Sequence, residues 1–311
     1  MIHVYVDLEG VININMTIKR IELPEYFKDN YLYLGDNLEL MKQLPSESID
    51  LIYGDPPYFS QRNYSTTSKT DNVKRTFTDT FKTLTEYLQF LQIRLVEMKR
   101  LLKPTGSIYI HVDWHASHYI KVMMDSIFGY DNFINDIIWT YTGGGSCKKA
   151  FARKHDNILL YSKTENYTFN ANEVTIPPKP GTEFIKDKEG KTYYTKGGTR
   201  YYVERDGKLL EDYWNDIPNL NHNKLSERHQ YPTEKPEKLL ERCIKASSNM
   251  NDVVADFFGG SGVTSCVSQR LNRKWITCDM SEDSTNLIKS RLLGNVSIKE
   301  NKYQLPIDAY K

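Results

Sequence analysis

Asp55, Pro56, Pro57 and Tyr58 follow directly on the apolar run Ile49 to Tyr53, and they combine a carboxylate, a stiff backbone and an aromatic ring. Two consecutive prolines hold the chain extended and carry carbonyls with no adjacent N–H to compete for them. Such a set can hold an aromatic amino group. That nitrogen is a poor nucleophile because its lone pair is delocalised into the ring, so a catalyst must offer acceptors that favour a more tetrahedral nitrogen. The Asp55 carboxylate and the carbonyl of Pro56 or Pro57 can offer them, while the Tyr58 ring can stack on a base. A base in a duplex must leave the stack to reach these groups. No Pro-Cys dipeptide supplies the thiol that attack on a pyrimidine C6 requires, so this chemistry needs no covalent intermediate. Alone, D-P-P-Y equally describes an Asp-capped turn. Its place at a strand's carboxyl end, where open α/β sheets gather ligands, selects the chemical reading.

A second constellation, Asp256-Phe257-Phe258-Gly259-Gly260-Ser261-Gly262, lies where a predicted strand hands over to a helix, and the next predicted strand ends in Asp279. Glycines there let backbone approach a ligand that a β-carbon would exclude, and an acid at that strand end can accept from both hydroxyls of a ribose. The pair suits a nucleoside-containing cofactor. The turn lacks G-K-[ST], which disfavours a phosphate-cradling loop. Ser265 at the third position of G-x-G-x-x-G weakens a dinucleotide reading. Glycine spacing alone is also that of a tight βα turn.

The elements that must position these residues are legible as periodicities. Tyr31 to Leu34 and Ile49 to Tyr53 read as buried strands around a helix from Asn37 to Gln43. Leu84, Tyr87, Leu88, Leu91, Leu95, Met98 and Leu102 mark a longer helix that Lys103-Pro104-Thr105-Gly106 stops. A strand from Ser107 to Val112, a helix from about His115 to Phe128 and apolar segments at Ile137 to Trp139 and Ile158 to Tyr161 follow. Pro236 is placed as the first residue of a helix bearing Leu239, Leu240, Cys243 and Ile244 on one face. Strand Val253 to Asp256, a helix through Gln269, strand Trp275 to Asp279 and a helix after Ser281 close the pattern. Repeated β-α alternation at both ends predicts one mostly parallel, doubly wound α/β sheet with helices on both faces. Between about Lys163 and Arg228, prolines, tyrosines and alternating charges replace apolar periodicity, which predicts a small inserted unit. The expected organisation is therefore 1–162 and 229–311 as two halves of one domain, with 163–228 inserted.

Composition bounds the remaining classes. Lysine and arginine (41) nearly balance aspartate and glutamate (40), so any polyanion surface must be a local patch. Cys147, Cys243, Cys266 and Cys278 form no C-x-x-C pair and accompany no histidine cluster, so no metal site is expected. They read as reduced thiols of a cytoplasmic protein. No segment approaches the roughly 18 consecutive apolar residues of a membrane span.

Local basic stretches are the candidates for duplex contact. Gly143 to His155 combines three glycines with Lys148, Lys149, Arg153, Lys154 and His155, a loop suited to phosphates beside the catalytic face or simply a solvated one. Gln61 to Arg75 is polar, contains Arg62, Lys69, Lys74 and Arg75, and is a candidate to close over an extruded base. Tyr193, Tyr194, Tyr201 and Tyr202 suit either base contact or a small half-buried sheet. His115, His118 and His222 are assigned structural or surface roles.

Together these motifs resemble the amino-group DNA methyltransferases, adenine-N6 or cytosine-N4, in the permuted β-class order: catalytic motif first, target-recognition segment next, cofactor motif last. The resemblance runs from about Tyr31 to Leu293. Leu34-Gly35-Asp36-Asn37 resembles the segment whose acid, here Asp36, faces the cofactor adenine. His111-Val112-Asp113-Trp114, Ile138-Trp139 and Lys154-His155-Asp156 are similar to the middle motifs. Tyr231 to Pro236 resembles the segment in which Thr233 and Lys235 approach the methionine carboxylate. The resemblance implies a Rossmann-like sheet with one antiparallel strand and S-adenosylmethionine as cofactor, held by Asp36, Thr233, Lys235, Asp256, Phe258, Gly260, Ser261, Gly262 and Asp279. It also implies double-stranded DNA as substrate, with a homodimer and a cognate restriction endonuclease as expected partners. Phe257 stands where the family has proline and Val263 where it has threonine, which bears on cofactor affinity. D-P-P-Y favours adenine-N6 over cytosine-N4, and the motif order disfavours RNA or protein substrates.

Overall fold

Strand Ile49–Gly54 is buried along its whole length, because both faces of its sheet are covered. Alternate side chains take opposite sides of a strand. Ile52 therefore joins one hydrophobic cluster while Leu51 and Tyr53 join another, and an irregularity between Ile49 and Leu51 places Ile49 with Ile52. The computed structural model describes residues 3–6, 12–15, 30–67, 74–142, 148–177, 183–220 and 231–294. Gly143 to Gly145, Cys147, His222 and Lys69 lie outside the described residues.

In chain order, β1 (His3–Val6) and β2 (Ile12–Asn15) precede β3 (Asn30–Leu34), α1 (Asn37–Gln43) and β4 (Ile49–Gly54). A hairpin of β5 (Arg62–Thr67) and β6 (Lys74–Asp79) leads to α2 (Leu84–Leu101), β7 (Leu102–Val112), α3 (Ser117–Phe128), β8 (Phe133–Thr140) and β9 (His155–Ser162). Short strands follow: β10 (Thr175–Ile176), β11 (Ile185–Lys186), β12 (Thr192–Lys196), β13 (Thr199–Tyr202), β14 (Lys208–Leu209) and β15 (Tyr213–Trp214). The chain ends its described part with α4 (Glu237–Ser247), β16 (Val253–Asp256), α5 (Val263–Arg270), β17 (Lys274–Asp279) and α6 (Glu282–Gly294).

The main sheet runs β15-β8-β9-β7-β4-β16-β17-β3-β1-β2. From β7 to β3 all neighbours are parallel, and β9 runs against both β7 and β8. β1 adds a second reversed strand between β3 and the edge strand β2. Helices α1, α2 and α3 cover one face through residues such as Met41, Leu95 and Met124. On the other face α4 and α5 contribute Leu239, Leu240, Ile244 and Val267, and Ile288 and Leu292 of α6 complete the cover beside Trp275. Thr83 caps α2 by accepting from the Glu86 N–H, and the Glu86 carboxylate returns a bond to the Lys82 N–H. Pro236 is the cap of α4 rather than its first residue, with extended backbone.

The tyrosine-rich segment forms a three-stranded sheet in which Tyr193 faces Tyr202 and Tyr194 faces Tyr201 across β12 and β13. Tyr201 and Tyr202 are exposed. The chain then returns to the main sheet, where β15 pairs with β8. Among the described residues no helix is long and apolar enough to cross a membrane.

Candidate active site

The parallel strand ends β4, β16, β17 and β3 bring the two sequence constellations to one edge, around a cavity of about 400 Å³, a volume suited to a small-molecule ligand. Asp55 to Tyr58 form one wall, and Phe258, Gly260 and Asp279 form another. At Asp55 both oxygens are engaged: the Tyr58 hydroxyl donates to Oδ1 and the Lys235 ammonium to Oδ2. Lys235 also donates to the Thr233 carbonyl at 3.2 Å and lies 5.3 Å from the centroid of the Tyr58 ring. Burial, and then the Asp55 carboxylate, push the Tyr58 phenol well above its ordinary range, so it stays a donor.

Beneath Tyr58 is His111, fully buried and with its ring inclined by 22° to the tyrosine at 6.0 Å between centroids. Nδ1 of His111 meets the Tyr53 hydroxyl at 2.8 Å and Nε2 meets Asp156 at 3.1 Å. Tyr141 donates to the other Asp156 oxygen at 3.0 Å. Burial opposes ionisation of Asp156, but bonds from His111 and Tyr141 and the nearby Lys235 charge hold its carboxyl below the usual range.

The backbone of the D-P-P-Y segment is fixed from behind. Asp79, only 1% exposed at the end of β6, accepts from the successive N–H groups of Tyr58, Phe59 and Ser60 at 3.1, 2.9 and 2.8 Å. Phe59 and Gln61 take positive φ values of 61° and 57° in that turn. Tyr87 of α2 donates to the Pro57 carbonyl at 2.7 Å. Of the two carbonyls that sequence left as candidate acceptors, Pro57 is thus already bonded.

The glycine turn matches the demand for close approach. Gly260 and Gly262 have φ of 51° and 76°, and a β-carbon on Gly262 would stand 2.6 Å from Ile288. Asp279 accepts from the Gly260 N–H at 2.8 Å and from the Ser281 N–H at 2.8 Å, while still lining the cavity. Asp256 lies behind the turn, accepting from Thr264 at 2.6 Å and from the Phe258 N–H at 2.9 Å. Burial, with the carboxylates of Asp55 and Asp279 adding to it, pushes Asp256 up to about 7. Ser261 is buried and its carbonyl accepts from Arg291. Thr233 lines the cavity with φ 63°, its hydroxyl bonded to the Pro232 carbonyl. Phe257 and Val263 fill the two hydrophobic clusters on opposite faces of the sheet.

Asp36 caps α1, and its two oxygens accept from Nη2 of Arg94 at 2.9 and 3.0 Å. Gly35, Asn37 and Arg94 line the cavity at that point. Arg94 is 4% exposed, stacks over Phe90 at 3.7 Å and also donates to Asn37. Aromatic rings, a ribose-competent acid and glycine backbone in one cavity fit a nucleoside attached to an amino acid.

A family model described as DNA methylase matches residues 49–290. The chain is 32% identical over 287 residues to the type II methyltransferase M.HpaI of Haemophilus parainfluenzae, covering 90% of this chain and 81% of that protein. It belongs to the amino-group DNA methyltransferases. The DNA adenine methyltransferase YhdJ of Escherichia coli (strain K12) is 30% identical over 260 residues, 83% of this chain and 81% of that protein. The fold is shared with the cytosine-N4-specific PvuII DNA methyltransferase at a TM-score of 0.61, covering 86% of this chain and 88% of that one at 22% identity.

As a DNA methyltransferase of the restriction-modification type, the protein uses S-adenosylmethionine as methyl donor. Away from the cavity, Lys148, Lys149, Arg153 and His155 are exposed and Lys154 is half-buried. The Arg153 guanidinium lies 3.6 Å from the centroid of the Trp114 ring, and the Lys154 carbonyl accepts from the Tyr141 N–H. Arg62 opens the β5–β6 hairpin opposite Asp79, and Tyr64 and Thr76 of that hairpin line the cavity. Sequence reasoning did not single out Asp79, Tyr87 or Arg94, and it read His111 only as part of a middle motif. Each acts over a long chain separation, with no local spacing to announce it.

Proposed function

We propose that this methyltransferase modifies the exocyclic N6 of an adenine rotated out of duplex DNA. When bound, S-adenosylmethionine supplies an electrophilic methyl group on a sulfonium. The chain's own residues hold the acceptor nitrogen. Asp55 and the Pro56 carbonyl accept its two N–H bonds, which draws the lone pair out of the ring, and Tyr58 stacks on the base. The observation that carries the reading is the fixed D-P-P-Y corner, in which the Pro57 carbonyl is bonded to Tyr87 and Asp79 anchors the following amides. The aspartate-led motif and the 30% identity to an enzyme named for adenine support N6 over cytosine N4.

On this reading Phe258, Gly260, Ser261, Gly262 and Thr233 line or shape the donor site, Asp279 accepts the ribose hydroxyls, and Asp256 holds the turn. Asp36 acts there through Arg94. Arg62, Lys148, Lys149, Arg153, Lys154 and His155 meet phosphates. The 163–228 segment forms the target-recognition unit, and a restriction endonuclease of the same specificity and a second copy of the chain are its partners. Methylated duplex DNA digested to nucleosides should contain N6-methyladenosine as its 2′-deoxy form. Modified cytosine as the sole product would overturn the adenine assignment and leave the amino-methyltransferase class intact.

A further inference from the structure

Lys235 is the ion-pair partner of Asp55, its side chain 9% exposed against 19% for the aspartate. It does not approach from the main cavity. It lines a small neighbouring space of about 30 Å³ with Tyr53, Asp55 and Asp256, and this space also reaches Thr233, Gly260 and Ser261 beside the main cavity. We propose that Lys235 is a positioning residue for Asp55, holding its carboxylate from behind in the orientation that receives the target amino group, rather than a ligand of the cofactor's carboxylate. This rests on the amino-methyltransfer reading above.

The geometry gives the reason. A carboxylate presents about four lone-pair sites on its two oxygens. Tyr58 takes one on Oδ1 and Lys235 one on Oδ2, which pins the carboxylate plane and leaves acceptor capacity for an incoming N–H. Lys235 is itself fixed by the Thr233 carbonyl and lies near the Tyr58 ring. Acidic groups crowd this corner. Asp256 is buried beside Asp55 and Asp279, and Asp156 lies across the Tyr58 ring, while the nearby Glu234 is paired to Arg291 at 2.9 Å with both side chains buried. The other ionisable groups facing Asp55 are the phenols of Tyr53, Tyr58 and Tyr231. A cation on Oδ2 offsets this local negative charge. The same cation weakens the pull of Asp55 on positive charge developing at the amino nitrogen, so its benefit is orientation rather than field.

The test compares full-length wild type with Lys235→Met and Lys235→Arg, using single-turnover methylation of duplex DNA at saturating S-adenosylmethionine. Calorimetry of cofactor binding runs alongside. Lys235→Met should lower the rate about 10- to 100-fold, the cost of a misplaced reacting group. Cofactor Kd should stay within about twofold of wild type. Lys235→Arg, which keeps a cation for the Asp55 carboxylate, should restore most of the lost rate.

A Kd raised about tenfold with the saturated rate unchanged, a loss of uniform binding, would assign Lys235 to the cofactor and overturn the proposal. Unchanged rate and Kd would overturn it equally. If Lys235→Met melts below the assay temperature, Lys235→Gln replaces it, and a saturated rate equal to wild type counts against the proposal. Absence of methyl transfer by the wild type strikes instead at the amino-methyltransfer reading. The calorimetric arm then still decides between Asp55 and the cofactor as the partner of Lys235.

Discussion

The D-P-P-Y corner and the basic loop before β9 stand at the same end of the sheet yet are built on opposite terms. At the corner nearly every polar atom is bonded within the protein: Asp55 to Tyr58 and Lys235, His111 to Tyr53 and Asp156, and three amides to Asp79. In the loop, Lys148, Lys149 and Phe151 are exposed, and Phe151 is fully so. The contrast follows from what each region must do. A reacting nitrogen needs acceptors fixed to within fractions of an ångström, whereas phosphates are met by charges that adjust to them. Yet the two are joined, since Tyr141, whose hydroxyl donates to Asp156, also donates its N–H to the Lys154 carbonyl at the base of the loop.

The contrast breaks most sharply at Asp55. Asp55→Ala should reduce methyl transfer about 1000-fold, the scale seen when one preorganised transition-state group is removed, while S-adenosylmethionine still binds in calorimetry. Cofactor binding lost in parallel with rate would mean that the corner serves the donor rather than the acceptor.

Protonation should affect stability at the corner. Asp256 is raised to about 7 in the folded protein from an ordinary carboxylate value of 3.8. The native state therefore holds a proton between those values that the unfolded chain has released, so this group's contribution falls as pH rises toward 7 and is lost above it. The span corresponds to up to ~4 kcal/mol. Wild type should melt lower at pH 8 than at pH 6 on this account, and Asp256→Asn, which cannot ionise, should flatten the difference. A variant that keeps the full wild-type pH slope assigns the effect to other groups.

The architecture was largely legible because its signals are local. β4 reads as a continuous apolar run since both its faces are covered, and α1 was placed at Asn37–Gln43 by its apolar residues, with Asp36 proving to be its cap. The β5–β6 hairpin was not, because a polar ribbon lacks the alternation that marks a half-buried strand. Its last residue shows the same limit at the site. Asp79 follows Thr78 like any turn aspartate, and only the fold brings it to amides some 20 positions earlier. Arg94 sits in a helix among other charges, and its burial depends on Asp36 and Asn37, far upstream. Lys235 was recognised as a site residue by its motif, but which carboxylate it meets is a three-dimensional fact.

Asp79 gives the next largest effect. Asp79→Ala removes the acceptor for three successive amides, so the Tyr58 backbone should lose its set position and the rate should fall about 100-fold. Cofactor Kd should stay near wild type, because Asp79 contacts the catalytic segment rather than the glycine turn. Asp79→Asn keeps one oxygen and should lie between the two. Equal losses for Ala and Asn would instead point to the charge itself.

The smallest effects belong to the loop, and they should differ in kind. On the proposed function, neutralising Lys148 or Lys149 removes a cation that meets a phosphate without fixing a reacting atom. Each should raise the KM for DNA more than it lowers the rate, and each lost phosphate contact should reduce the slope of log affinity against log salt by about 0.9. Arg153 should cost more than either lysine. Its guanidinium is already stacked on Trp114, so less side-chain freedom is lost when a phosphate binds. Arg153→Gln and Trp114→Ala should therefore weaken DNA binding by similar factors, and the double variant by little more than either alone. Additive losses would show that Trp114 meets DNA independently, and that order in this loop is imposed by the duplex rather than prepared by the protein.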